Sequence, residues 1–305
     1  MKFITYSIAD GKKQAGMMIN DNVYSIEEIS EGKLPHTMRS FIEDAERNLP
    51  ILEEIVNHNI DQNSSIPVTE VNLHAPLGNP NSVRDFMAFE DHIVNASKTS
   101  GIQVHPNWYK IPAFYFTNHT TIHDPNEGIE RPPGCEKLDY ELEIAIVIGK
   151  EGKNISVDEA DEYIFGYTIF NDWSARDLQL KEMPIGLGPA KGKDFATSIG
   201  PCIVTPKVLE PFRENKGFDL EMTASVNGKV ISRGNFKNIY YSFNEMIAQA
   251  SSGTTLYPGD IIGSGTVGTG CLLEFGEGVH PWLQDGDEVE LTIEQIGVLR
   301  NTIKK

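Results

Sequence analysis

Leu138-Asp-Tyr-Glu-Leu-Glu-Ile-Ala-Ile-Val-Ile-Gly149 reads as a strand ending at its glycine. Side chains of a strand alternate between its two faces. Tyr140, Leu142, Ile144, Ile146 and Ile148 therefore share one face, and Glu141, Glu143, Ala145 and Val147 the other. The two Glu Cα atoms then stand ~7 Å apart. On an exposed face such a pair is simply hydrated. The apolar run that follows argues instead for burial on both faces. Two carboxylates held close in a dry setting repel, so one takes up a proton or a cation sits between them.

A third carboxylate comes from the next strand-like run, Tyr163-Ile-Phe-Gly-Tyr-Thr-Ile-Phe-Asn-Asp172, which continues as Trp-Ser-Ala-Arg-Asp177. Asp172 closes the apolar run and so is expected at a strand end. Arg176 and Asp177 are expected to pair with each other. Three carboxylates on adjacent strand ends suit Mg²⁺, Mn²⁺ or Ca²⁺, which take oxygen ligands and leave positions for water or substrate. Zinc is disfavoured, since neither Cys nor His lies nearby in sequence. Upstream, Ser82–Ser97 reads as one helix with Ser82 as N-cap. Asp85 and His92, seven residues apart, would then share a face, with His92 beside the stripe Phe86, Phe89 and Ile93.

The rest of the chain is strand-rich. Met1–Ser7 and Gly16–Ser25 read as strands about an Ala9-Asp10-Gly11 turn. Met38–Asn59 has helical spacing, with Pro50 expected to break or kink it. After the polar stretch Asp61–Ser65, the turn-rich segment His74–Ser82 with Pro76 and Pro80 predicts a boundary. A small β/α domain over 1–75 would then precede a catalytic domain over 76–305. Beyond Tyr140, further strands are predicted at Cys202–Thr205, Leu220–Val226, Asp260–Ile262 and Val289–Ile293. Short helical pieces at Val157–Tyr163 and Tyr241–Ser251 lie between them. Many strands with few long helices predict an α+β, β-rich fold rather than a doubly wound sheet.

Composition narrows the function. The 305 residues carry 26 Lys and Arg against 44 Asp and Glu, a net charge of −18, which repels nucleic-acid phosphates and anionic lipid heads. The N-terminus MKFITYSIADGKKQAG lacks a secretory apolar run, and no stretch approaches the ~20 apolar residues that span a bilayer. Cys135, Cys202 and Cys271 are dispersed and form neither a disulfide framework nor a Cys-x-x-Cys site. A cytoplasmic protein is expected. Gly263-Ser-Gly-Thr-Val-Gly268 matches dinucleotide-loop spacing, but Cys271–Phe275 is too short for the helix that should follow. His119 and His123 sit in a polar, Thr-rich segment and read as a surface loop.

Taken together, these segments resemble the fumarylacetoacetate hydrolase family, in a bacterial-type form. The likeness runs from about Val83 to Val298. It rests on Arg84-Asp85-Phe86 through His92, Pro106-Asn107-Trp108, Glu141-Leu-Glu143, Asn171-Asp172-Trp-Ser-Ala-Arg-Asp177, Gly192-Lys193-Asp-Phe-Ala-Thr197 and Gly265-Thr266 through Glu274. The resemblance implies a mixed β-barrel or β-roll catalytic domain holding one divalent cation. Glu141, Glu143 and Asp172 fall at its metal carboxylates, and Asp85 matches a fourth ligand of its fuller members. His92 matches the general base and Glu274 the carboxylate that orients it. Lys193 matches a group that stabilises negative charge on the substrate. Tyr115, Gln179 and Thr266 match substrate-contacting positions, with Thr197 a further polar one. Members that cleave fumarylacetoacetate carry an Arg nine residues after this His, where Gly101 stands here.

The implied activity is metal-dependent hydrolysis of a carbon–carbon bond in a fumarylacetoacetate- or acylpyruvate-like diketo acid, as in aromatic catabolism, by a homodimer. Oxaloacetate-type decarboxylation, 2-oxo-alkenoate hydration and enol/keto isomerisation would use the same site. The presence of both His92 and Glu274 favours hydrolysis, because a decarboxylase needs no activated water.

Overall fold

A computed structural model describes residues 1–9, 11–58, 60, 64–101, 103–276 and 278–304. Asp10 of the expected first turn and residues 61–63 of the polar stretch lie outside it. The strand Leu142–Ile148 is the wall between two cores. Leu142, Ile144, Ile146 and Ile148 pack into one, with Met222, Ala224, Leu291 and Leu299. Ala145 and Val147 pack into the other, with Phe3, Phe41, Leu52 and Phe165. Both faces are dry, as the uninterrupted apolar run predicts. Each such side chain contributes about 1.5–3 kcal/mol by leaving water.

This wall lies inside a twelve-stranded mixed sheet. It pairs antiparallel with Ile164–Asp172 on one side and Ile261–Gly263 on the other. From the first neighbour the order runs through Thr197–Val204 to Lys2–Ser7, Gln14–Ile19, Asn22–Ser25 and Ser65–Pro67. From the second it runs to Val83–Phe86 and then Phe114–Thr117. The path is open at both ends and does not close into a barrel. A second sheet of five strands, built around Glu221–Val226 and Glu288–Ile293, covers the first core.

Several local expectations change. Val83–Phe86 is a strand, parallel to Ile261–Gly263 and antiparallel to Phe114–Thr117, and the helix begins only at Glu90 and runs to Ser100. All four residues of that strand are buried, so pairing on both edges overrides the helical spacing. Asp85 and His92 therefore do not share a helix. Gly16–Ser25 is a hairpin of two strands turning at Asn20 and Asp21, whose φ angles are 48° and 63°. Met38–Asn59 divides into Met38–Glu43 and Ala45–Asn57. The break is at Asp44, whose carbonyl starts the second helix by accepting from Arg47 and Asn48. Pro50 sits inside the second helix, where it supplies no N–H. Val157–Tyr163 contributes only a 3₁₀ turn at Ala160–Tyr163. Phe243–Ser251 is a helix opened by a capping box of Ser242 and Glu245.

Candidate active site

Four carboxylates converge where three strands of the sheet meet. Asp85, Glu141, Glu143 and Asp172 are all buried, and their nearest oxygens lie within 4.8 Å of one another. Glu143 lies on the wall strand, and Glu141 just before it. Asp172 ends the neighbouring strand and Asp85 lies on the short parallel one. Gly263 pairs directly with Asp85. A Cβ there would stand 2.5 Å from Asp85 Oδ1 and 3.3 Å from Glu143 Oε2. Gly265 holds a φ of 75° while its N–H donates to Asp85 Oδ1 at 3.2 Å. Of the glycines that mimic a dinucleotide loop, Gly263 thus makes room for carboxylates, while Gly265 and Gly268 let the Phe86 carbonyl and Asp91 approach, and the helix after them, Leu272–Phe275, is short.

Two buried cations meet this charge. Lys193 Nζ donates to Glu141 Oε2 at 2.5 Å and to Asp172 Oδ2 at 2.6 Å. Arg176 donates to Asp139 Oδ2 at 2.9 Å, Glu141 Oε1 at 2.8 Å and Gln179 Oε1 at 3.1 Å. Arg176 therefore does not pair with Asp177, which instead accepts from the Glu136 N–H at 2.9 Å. Strand Leu138–Asp139 pairs with Ser174–Ala175, and that bridge brings Asp139 to Arg176, which sequence separation hides. Tyr115 donates to Asp172 Oδ2 at 2.5 Å, and Thr266 to Glu143 Oε1 at 3.4 Å. Thr197 is buried as the ladder partner of Asp172. Among the described residues, Gln179 joins the cluster through Arg176.

The charges do not balance, since five buried carboxylates (Asp139 among them) face two cations. Burial, then the charge of Asp172, pushes Asp85 well above the usual carboxylate range. Burial and the charges of Asp85 and Glu141 do the same to Glu143. At Asp172 burial also wins, against Lys193. At Glu141 burial is outweighed by Lys193 and Arg176, which hold it below the usual range. Glu143 Oε2 and Asp172 Oδ1 are buried with no hydrogen-bond partner among the described residues. Buried polar atoms without partners are rare and call for an explanation. A divalent cation supplies one, and the all-oxygen donor set fits it.

His92 and Glu274 form the second half. His92 Nδ1 lies 2.8 Å from Glu274 Oε1. That carboxylate also accepts from Asn95 Nδ2 at 3.1 Å and from the N–H groups of Thr269 and Gly270 at 2.8 and 3.1 Å. The short helix Leu272–Phe275 carries Glu274 beneath the helix that carries His92. The ring's Nδ1–H on this carboxylate leaves Nε2 as its basic nitrogen. His92, Asp85, Glu141, Glu143, Lys193 and Thr266 all line one cavity of about 450 Å³. Asp139, Arg176 and Asn95 escape sequence reasoning because each acts through a partner far away in the chain. Cys271 Sγ, three residues before Glu274, also lies 3.6 Å from Glu274 Oε1.

An open β-rich sheet thus carries a buried carboxylate cluster with the donor set of a divalent-cation site, beside a carboxylate-oriented histidine. The model for the C-terminal domain of fumarylacetoacetate hydrolases matches residues 81–304, and the chain belongs to that family, whose members are hydrolases, tautomerases and isomerases. The chain is 31% identical over 293 residues to the mitochondrial oxaloacetate tautomerase of Homo sapiens, covering 94% of this chain and 84% of that one. It is 32% identical over 300 residues to the fumarylacetoacetase of Aspergillus fumigatus, covering 77% and 69%. A fumarylacetoacetate hydrolase structure from Exiguobacterium antarcticum superposes with a TM-score of 0.77 at 26% identity, covering 100% and 99%. No helix among the described residues is long and apolar enough to cross a membrane.

Proposed function

We propose that the protein hydrolyses the carbon–carbon bond of a β-diketo acid of the acylpyruvate or fumarylacetoacetate type. The observation carrying this reading is that the His92–Glu274 pair opens into the same cavity as the carboxylate cluster. Asp85, Glu141, Glu143 and Asp172 would hold Mg²⁺, Mn²⁺ or Ca²⁺. When bound, such an ion polarises a carbonyl oxygen and favours negative charge on it. Glu274, fixed by its donors, holds the His92 ring in one tautomer and stabilises the imidazolium once it forms. His92 Nε2 takes a proton from water, and the water oxygen attacks the acyl carbonyl carbon. The carbon–carbon bond breaks towards the pyruvate fragment of an acylpyruvate, or the acetoacetate fragment of fumarylacetoacetate, which leaves as an enolate, and the acyl fragment leaves as a carboxylic acid. The imidazolium proton returns to the enolate carbon. Lys193, clamped to Glu141 and Asp172, keeps those carboxylates in place and has one further N–H to offer a substrate oxygen. Tyr115 steadies Asp172 from the cavity side.

A second reading, keto–enol tautomerisation of oxaloacetate, is favoured by the name of the human relative and the extent of its match. It needs His92 as a proton carrier without water attack. Decarboxylation or hydration of a 2-oxo acid would leave different products. Incubating acylpyruvates, fumarylpyruvate, fumarylacetoacetate and oxaloacetate with each ion separates them: two acids mean cleavage, carbon dioxide means decarboxylation, and exchange of the C3 hydrogen without scission means tautomerisation. Unchanged turnover in His92→Ala on every substrate would remove His92 from all these schemes. The reading also includes a cytoplasmic homodimer acting on a small anionic substrate, without nucleic-acid or membrane partners. Family membership and the net charge of −18 support that part.

A further inference from the structure

The cavity is asymmetric. At its inner end stand the carboxylates with Arg176 and Lys193, which bond to Asp139, Glu141, Asp172 and Gln179 and leave one Lys193 N–H for the inner end of a substrate. The remaining wall is mostly apolar, with Phe86, Ile93, Phe114, Leu180 and Met183. Leu180 and Met183 are each 44% exposed at the mouth, and just beyond them Ile185 and Leu187 are 73% and 92% exposed. Among the described lining residues no other Lys or Arg is present. His105, on the rim, is exposed, and its Nδ1 accepts from the Asn107 N–H at 3.2 Å.

From this asymmetry we infer that the substrate carries one carboxylate, at its 2-oxo end, and an uncharged apolar acyl tail that lies against Phe86, Ile93, Phe114, Leu180 and Met183. The inference rests on the dioxo-acid reading above and narrows it. A tail bearing a second carboxylate, as in fumarylpyruvate or oxaloacetate, would give up its water without gaining a cation. An apolar tail instead covers apolar side chains that water now touches at the mouth.

The test measures binding and cleavage separately. The Mg²⁺-loaded protein is titrated calorimetrically with pyruvate, 2-oxobutanoate, 2-oxopentanoate, 2-oxohexanoate and 2-oxoglutarate. Affinity should rise about fourfold per added methylene, and 2-oxoglutarate should bind at least tenfold more weakly than 2-oxohexanoate. In parallel, kcat/KM should rise from acetylpyruvate to hexanoylpyruvate and fall for fumarylpyruvate. A flat series, or tighter binding of 2-oxoglutarate, overturns the inference and leaves the hydrolase reading intact. A rising binding series with no cleavage of any dioxo acid supports the inference and overturns the hydrolase reading. Met183→Arg, at a half-exposed position that tolerates the change, should shift the 2-oxoglutarate to 2-oxohexanoate affinity ratio at least tenfold towards the diacid. An unchanged ratio overturns the placement of the tail.

Discussion

Two histidines in this molecule keep the same company and do different things. His92 Nδ1 meets Glu274 at 2.8 Å, and His74 Nδ1 meets Asp124 at 2.7 Å. His74 even completes a Ser–His–Asp series, because its Nε2 lies 2.9 Å from Ser7 Oγ. Yet Ser7 is buried, its hydroxyl also reaches the Ala9 carbonyl, and Asp124 is shared with Lys13 and the Ala75 N–H. Those bonds tie the first strand, the strand Asn72–His74 and the loop around Asp124 together. Both nitrogens of the His74 ring are occupied by the protein. At His92 the second nitrogen is left to a cavity that also holds a carboxylate cluster. A triad's bond lengths are therefore not its chemistry; the open ring nitrogen and the charge it faces decide.

The largest expected effects test that contrast. His92→Ala should lower kcat by about 10²–10⁴-fold, the range for a lost general base, and Glu274→Gln by a comparable factor. His74→Ala should leave kcat within about twofold while lowering unfolding free energy by about 1–3 kcal/mol, since it removes the bonds that tie Ser7 to Asp124. Product formation and denaturant unfolding on the same preparations check both; the reverse pattern would exchange the roles of the two histidines.

Next comes the cluster. Gly263→Ala pushes a methyl group against Asp85 and should weaken Mg²⁺ binding by about 10–100-fold, a range typical of displaced metal-site geometry. Glu143→Gln removes one of the repelling buried charges. It should raise the thermal midpoint of the metal-free protein while reducing the gain on adding Mg²⁺, which for an intact site is about 2.7 kcal/mol at a hundredfold excess over Kd. Calorimetric titration and melting curves with and without the ion read both effects.

The smallest effect is at the other histidine. Burial alone would raise Asp124, but Lys13, His74 and the Ala75 N–H outweigh it and lower its pKa. A depressed carboxylate contributes stability that is fully present well above its unfolded pKa of about 3.9 and is lost as pH falls through the folded value. Asp124→Asn should thus be less stable than the parent at pH 7, and the gap should close below about pH 4. Denaturant midpoints across pH 3–8 measure it, and a pH-independent gap would show that packing rather than charge is lost.

Glu141, Glu143 and Asp172 are legible in sequence because strand alternation and an apolar context carry the signal locally. Asp85 is harder. Its segment shows helical spacing, and only pairing with Ile261–Gly263, far along the chain, makes it a strand. Arg176 and Asp177 look like a pair because they are neighbours, whereas their real partners, Asp139 and the Glu136 N–H, arrive through a two-residue ladder. The glycines of 263–268 show the converse. Their spacing is visible at once, but the need for them depends on carboxylates and backbone contributed by other strands and by the His92 helix. Local periodicity exposes what one strand does, and long-range pairing decides what several strands do together.

The Leu142–Ile148 wall has one more consequence. Glu143 shares its backbone with Ala145 and Val147, whose side chains rest on Phe3, Phe41 and Phe165 rather than on anything near the cavity. Interiors packed as tightly as crystals pass small displacements along. Amino-acid exchanges in the first fifty residues, remote from the carboxylate cluster, can therefore shift the spacing of its oxygens, and the N-terminal segment becomes a place where selection adjusts the cluster without touching one of its side chains.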